Sequence, residues 1–303
     1  MSIRPALTTS NATPTIEGAG VQLHRAFGFN SPETHDPFLL FDDFRNDSPE
    51  SYLAGFPWHP HRGIETITYV LSGSVTHNDS LGNSGTLTNG DVQWMTAGSG
   101  IMHQEMPTGN AQGQMHGFQL WANLPGHLKM TTPRYQDVQS KDISEIIDDD
   151  GTKVKVITGK FWGKKGPVDG IAADPLYLDI SIPADRRKSF KVDTYRNTFA
   201  YIFEGEGKFA DASTPKGILL EKEVLGQELN IRDMSGNRTL VKFGTGNEIV
   251  VQAGQQGIRF LLIAGTPIQE PIAWHGPIVM NTQEELRTAV NDLRNNMFIK
   301  PQQ

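Results

Sequence analysis

Short apolar or alternating runs recur along this chain, each closed by a turn-forming residue, and that rhythm restricts the fold more than any other feature. The runs are Thr66–Val75, Val92–Met95, Gly117–Ala122, Val154–Ile157, Leu176–Ile182, Phe199–Phe203, Glu248–Val251 and Ile258–Ala264. Gly73, Gly82, Gly85, Asn89-Gly90, Gly98, Gly100, Pro125-Gly126, Gly205, Gly207 and Gly265 bound them. Glycine and proline, 31 and 18 of 303 residues, supply the turns such a pattern needs. Many short strands at this spacing predict an all-β protein, sandwich or barrel.

The chain also resembles itself. Tyr69-Val-Leu-Ser-Gly73 aligns with Tyr201-Ile-Phe-Glu-Gly205 at an offset of 132. Phe118-Gln-Leu-Trp-Ala-Asn-Leu-Pro125 aligns with Phe260-Leu-Leu-Ile-Ala-Gly-Thr-Pro267 at an offset of 142. Two matches in the same order predict a duplication. The polar stretch between Tyr135 and Gly151 is the expected boundary, which gives domains at 1–135 and 136–303. Near the end, Thr282-Gln-Glu-Glu285 has the form of a capping box. Leu286, Ala289, Val290, Leu293 and Met297 follow at helical spacing, which predicts one terminal helix packed by that stripe.

With no cysteine, disulfides, thiolate zinc sites, iron–sulfur clusters and a thiol nucleophile are all excluded. A transition metal would have to be held by imidazole and carboxylate. The formal charge of −7 argues against direct binding of nucleic acid over a broad surface. No run approaches the roughly 18 apolar residues of a membrane span, and residues 1–10 lack the apolar core of a secretory signal. The expectation is a cytoplasmic protein with no membrane partner.

Nine histidines are present, and two groups carry chemistry: Trp58-His59-Pro-His61-Arg-Gly-Ile-Glu65 and Gly100-Ile-Met-His103-Gln-Glu105. Residues two apart on a strand share a face, so His59 pairs with His61 and His103 with Glu105. Strands facing one barrel interior would bring three imidazoles and a carboxylate together. Such a set leaves positions open around an octahedral ion and suits Fe(II), Mn(II), Ni(II) or Cu(II). Pro60 cannot donate to a ladder, so His59–His61 belongs at an edge or at the start of a strand. Glu65 competes for the carboxylate role by parity, unless Gly63 introduces a bulge that resets the face. His116 shares the parity of Phe118 and Leu120 and reads as core packing first, pocket lining second. His24, His35, His77 and His127 have no partner in sequence and read as surface or turn residues. His275 lies beyond the repeat and reads as structural or exposed.

The spacing His-x-His-x3-Glu followed by Gly-x-x-His resembles the two cupin motifs. More narrowly, His59–Thr66, Gly90–Gly98, Gly100–Pro107 and Leu120–Pro125 resemble the pirin family. So do His24–Gly28, Asp36–Leu40, Pro133–Gln136 and Gly276–Glu284. The resemblance implies a bicupin, two cupin-type jelly-roll β-barrels in tandem followed by a C-terminal helix. It also implies iron in the first barrel, with His59, His61, His103 and Glu105 as metal ligands by position. Manganese, nickel, copper, cobalt and zinc are not excluded. The family's second barrel is metal-free, and the offsets agree: His59, His61 and Glu65 map to Lys191, Asp193 and Asn197, and His103 and Glu105 to Thr245 and Asn247. One departure is Trp58, where pirins often carry Asp.

Two functions follow from the resemblance. One is a quercetin 2,3-dioxygenase type of oxidoreductase, which opens a flavonol with O2 and releases carbon monoxide. Glu105 or Glu65 would act as catalytic base, with Trp58, Phe118 and Met102 or Met106 as apolar walls. The alternative is an iron-dependent redox sensor that binds a protein partner such as a transcription factor, without turnover.

Overall fold

The computed structural model describes residues 2–30, 32–168, 172–209, 222–224, 227–229 and 234–300. Among these, the architecture is all-β with a single α-helix, in two cupin barrels. The first is built from two antiparallel sheets. One has seven strands in the order Arg134–Val138, Val92–Thr96, Ile64–Ser72, His116–Asn123, Phe38–Asp43, Val21–Phe27 and Thr13–Glu17. The other has four, in the order Phe56–His61, Ile101–Thr108, Ser74–Asp79 and Ser84–Leu87. The second barrel curls from one nine-stranded sheet. Its long strand Glu248–Gly265 joins the two runs read separately in the sequence and pairs with both Leu176–Ile182 and Arg187–Lys191.

The two halves pack through the outer faces of their large sheets. Phe41, Ile67, Trp94, Phe118 and Leu120 from the first meet Phe199, Tyr201, Phe203, Leu261 and Ile263 from the second. Between these, Ala200, Ile202, Phe260 and Leu262 point the other way, into the second barrel's interior with Phe190 and Phe243. Such strands are covered on both faces, so they read as continuous apolar runs rather than as alternation.

The duplicated tyrosines are the polar pins of this interface. Tyr69 donates to Asp179 across it (2.8 Å), and Tyr201 donates to Asp43 in return (3.0 Å). Asp179 is also held by Arg259, and Asp43 by Arg45. Each buried carboxylate therefore has a cation and a hydroxyl to replace water. Tyr69→Phe and Tyr201→Phe should each destabilise the fold by about 1.5–3 kcal/mol, the worth of a hydrogen bond to a charged group. Urea unfolding checks this, and unchanged midpoints would show that the arginines alone suffice.

Sheet membership changes between Val138 and Ser144, but both chain ends cross over. The N-terminal strand Ala6–Asn11 pairs with Thr239–Phe243 of the second sheet. The C-terminal hairpin Ala273–His275/Ile278–Met280 bridges back to Arg62 in the first half. The packing of both ends therefore crosses the division expected at 135/136. The helix Gln283–Arg294 begins with the expected capping box at Thr282 and Glu285 and buries Leu286 and Ala289. It packs on Ala273, Ile278 and Met280, whereas Met297 lies past its end and is exposed. No helix among the described residues is long and apolar enough to cross a membrane.

Candidate metal centre

Strand Phe56–His61 lies at the edge of the four-stranded sheet, where Pro60 leaves no ladder bond unmade. Its neighbour Ile101–Thr108 runs antiparallel, with His103 directly opposite His59 and Ile101 opposite His61. Register therefore brings the three imidazoles together. One nitrogen from each lies within 4.8 Å of the others, and His61 and His103 are fully buried.

The outer nitrogens show which atoms face the centre. Nδ1 of His59 lies 2.8 Å from the Pro57 carbonyl, and Nδ1 of His61 lies 3.2 Å from that of Pro277. A carbonyl only accepts, so both rings carry their proton on Nδ1 and turn an Nε2 lone pair inward. The two Nε2 atoms are 3.1 Å apart. His103 Nδ1 lies 3.0 Å from His77 Nε2, and its own Nε2 is buried without a partner. Burial, reinforced by the neighbouring imidazoles, holds the pKa of His61 and of His103 well below the ordinary value. Neutral imidazoles with outer acceptors and converging lone pairs are what a metal ion requires. The orphaned His103 Nε2 fits such an ion directly.

Glu105 is on the same strand as His103, but its carboxylate lies outside this close group. It accepts from the Thr68 hydroxyl (2.9 Å) and from the Gln119 amide (2.9 and 3.2 Å). Gln119 is oriented in turn by Trp121, whose indole N–H donates to its oxygen (3.1 Å). The Trp121 ring also stands edge-on to His61, 5.0 Å between centroids. Beside Glu105 is a cavity of about 10 Å³ walled by Phe44, Tyr52, Phe56 and Val75. That is space for about one water.

Several sequence expectations need correction. Glu65 does not face the histidines. Gly63, at φ +78°, breaks the chain between strands of different sheets, and the face resets there. Thr68 looks into the barrel, whereas Glu65 shares the opposite face with Ile67 and Tyr69 and accepts from Thr96 (2.7 Å). Burial pushes its carboxyl up to about 7. Phe118 is likewise no pocket wall; it packs in the core between the halves. Met102 and Met106 alternate with His103 and Glu105 and so lie on the strand's other face.

His77 is neither a surface nor a turn residue. It is buried on strand Ser74–Asp79, opposite Glu105, bonded to His103 and stacked on Tyr135 at 5.1 Å. The signal was present: Val75, His77 and Asp79 alternate as the buried face of their strand. His24 bonds to Arg238, and His35 stacks on Phe27 at 4.0 Å within its turn. His116 packs between Phe118 and Phe203, as core. His127 and His275 are exposed, and Trp58 is half-exposed at 51%.

Comparison with known proteins agrees with this architecture. Residues 20–122 match the Pirin family model, and residues 177–299 match that of the Pirin C-terminal cupin domain. A pirin-like protein of Caulobacter vibrioides is 41% identical over 299 residues, covering 98% of this chain and all of that protein. Human pirin is 37% identical over 281 residues, 92% of this chain and 88% of its own. Among solved structures, a quercetin 2,3-dioxygenase from Acinetobacter baumannii superposes with a TM-score of 0.83 at 30% identity, covering 98% and 99% of the two chains. Matched in both halves and over nearly its whole length, the chain belongs to the pirin family.

Proposed function

We propose that this protein is a metal-dependent dioxygenase that opens quercetin-type flavonols with O2 and releases carbon monoxide. The observation that carries this reading is the histidine triad: three inward Nε2 atoms with their outer nitrogens already engaged. The similar Acinetobacter protein bears that activity in its name. Fe(II) is the proposed ion, held by His59, His61 and His103 with Glu105 as fourth ligand; manganese, nickel, copper, cobalt and zinc suit the same donor atoms. When bound, the ion supplies Lewis acidity and redox chemistry toward O2.

The chain's own residues do the rest. Glu105 is the proton acceptor for the flavonol 3-hydroxyl, with Thr68 and Gln119 holding its oxygens in place. The small cavity beside Glu105 admits no flavonol, so substrate approaches from the side of His59, the one member of the triad that is not fully buried. Iron-loaded protein should consume O2 in the presence of quercetin and evolve carbon monoxide. Absence of turnover with iron, manganese, nickel, copper and cobalt in turn would overturn the dioxygenase reading and favour a metal-bearing partner-binding protein.

A further inference from the structure

The end of the chain does not stay with the half to which the repeat assigns it. It lies against the two turns from which the ligand strands leave. Val279 N–H donates to the Arg62 carbonyl at 3.0 Å, immediately after His61. The Val279 carbonyl accepts from buried Lys129, which also donates to Gly63 O and Asn123 Oδ1. A Cβ on Gly63 would stand 2.0 Å from Val279 O, so the segments touch backbone to backbone. Farther on, Arg62 donates to Asp292 and to Phe298 O, both at 2.9 Å, and its guanidinium lies 4.3 Å over the Phe298 ring. Phe298 O is 2.7 Å from where a Cβ on Gly100 would sit, at the turn entering the His103 strand. The Pro277 carbonyl, two residues before Val279, is the partner of His61 Nδ1.

We infer that the C-terminal segment 273–299 is a working part of the first barrel's metal centre, and that its docking and metal binding strengthen one another. The inference rests on the triad being a metal site. Pro277 is the positioning residue: its carbonyl keeps the His61 proton on Nδ1 and so keeps Nε2 available. Removing such an outer partner weakens metal binding about 10–100-fold. Coupling is reciprocal, so a bound ion holds the tail down by the same factor by which the docked tail tightens the ion. The second half, whose own barrel is packed with Phe190, Phe243 and Phe260, thereby contributes to chemistry in the first.

Hydrogen exchange on the whole protein, with and without cobalt(II), tests this. Cobalt should slow exchange in 273–299 by tenfold or more, beyond any change in the second-barrel strand Phe199–Phe203. Equal protection of tail and control strand, with cobalt bound at the triad, would overturn the coupling. The double variant Asp292→Ala/Phe298→Ala, remote from the triad, should weaken cobalt binding at least tenfold and alter its visible absorption bands. The single variant Asp292→Glu, which keeps Phe298, should recover both. Unchanged affinity in a variant whose tail exchanges freely would also overturn it. Should the double variant not fold, the wild-type exchange measurement decides alone. A wild-type protein that binds no cobalt would overturn the site itself, an outcome distinct from uncoupled binding.

Discussion

His61→Ala is expected to weaken metal binding by more than about 100-fold, since outer-shell partners alone are worth about 10–100-fold. The ring is fully buried, its Nδ1 is engaged by Pro277 and its Nε2 faces that of His59. No other imidazole is placed to substitute, because His77 is already committed to His103. Lys191→Ala and Asp193→Ala should leave metal content unchanged, as both sit at the exposed mouth of the second barrel. Elemental analysis after dialysis reads both results. Full stoichiometry in His61→Ala, or a large loss in either second-barrel variant, would contradict the placement.

Glu65→Gln is expected to stabilise the protein, and only above acidic pH. The carboxyl is buried on the face shared with Ile67 and Tyr69, where it accepts from Thr96, and burial outweighs the opposing pull of Thr96, Trp94 and the Arg134 charge. Burial raises its pKa from 4.5 to about 7, so the native state retains a proton that the unfolded chain releases. Below pH 4.5 both states are protonated and nothing is lost. Between 4.5 and about 7 stability falls as pH rises, and above that the loss is constant. A shift of this size corresponds to about 3 kcal/mol, at about 1.36 kcal/mol per unit. Urea unfolding at pH 4.5, 6 and 8 should therefore show the variant gaining on wild type until about pH 7. An equal or smaller stability at pH 8 would mean that Glu65 is better solvated than its burial suggests.

How much of this was legible beforehand varied with the range of the interaction responsible. His59, His61 and His103 were readable because strand parity is local and survives folding. Pro60 limited its strand to an edge or a strand start, and the sheet order makes it an edge. Parity misled at Glu65, where Gly63 turned the chain between sheets and reset the face. It was insufficient at Phe118, because a strand buried on both sides does not reveal which face is the pocket. His77 was recoverable from the alternation of its own strand, but a histidine without a sequence partner gives no reason to apply it. The Glu105 carboxylate depends on Thr68 and Gln119, side chains from two other strands, and no spacing rule reports a rotamer. The tail is the extreme case: Pro277 reaches His61 across 216 residues, and only the assembled fold brings them together.

The central claim is that three imidazoles converge on one ion in the first barrel. X-ray absorption of the iron-loaded protein tests it most directly. The predicted spectrum shows three imidazole ligands with their characteristic ring scattering, completed by oxygen donors. A shell of oxygen alone, or one with fewer than two imidazoles, would contradict it.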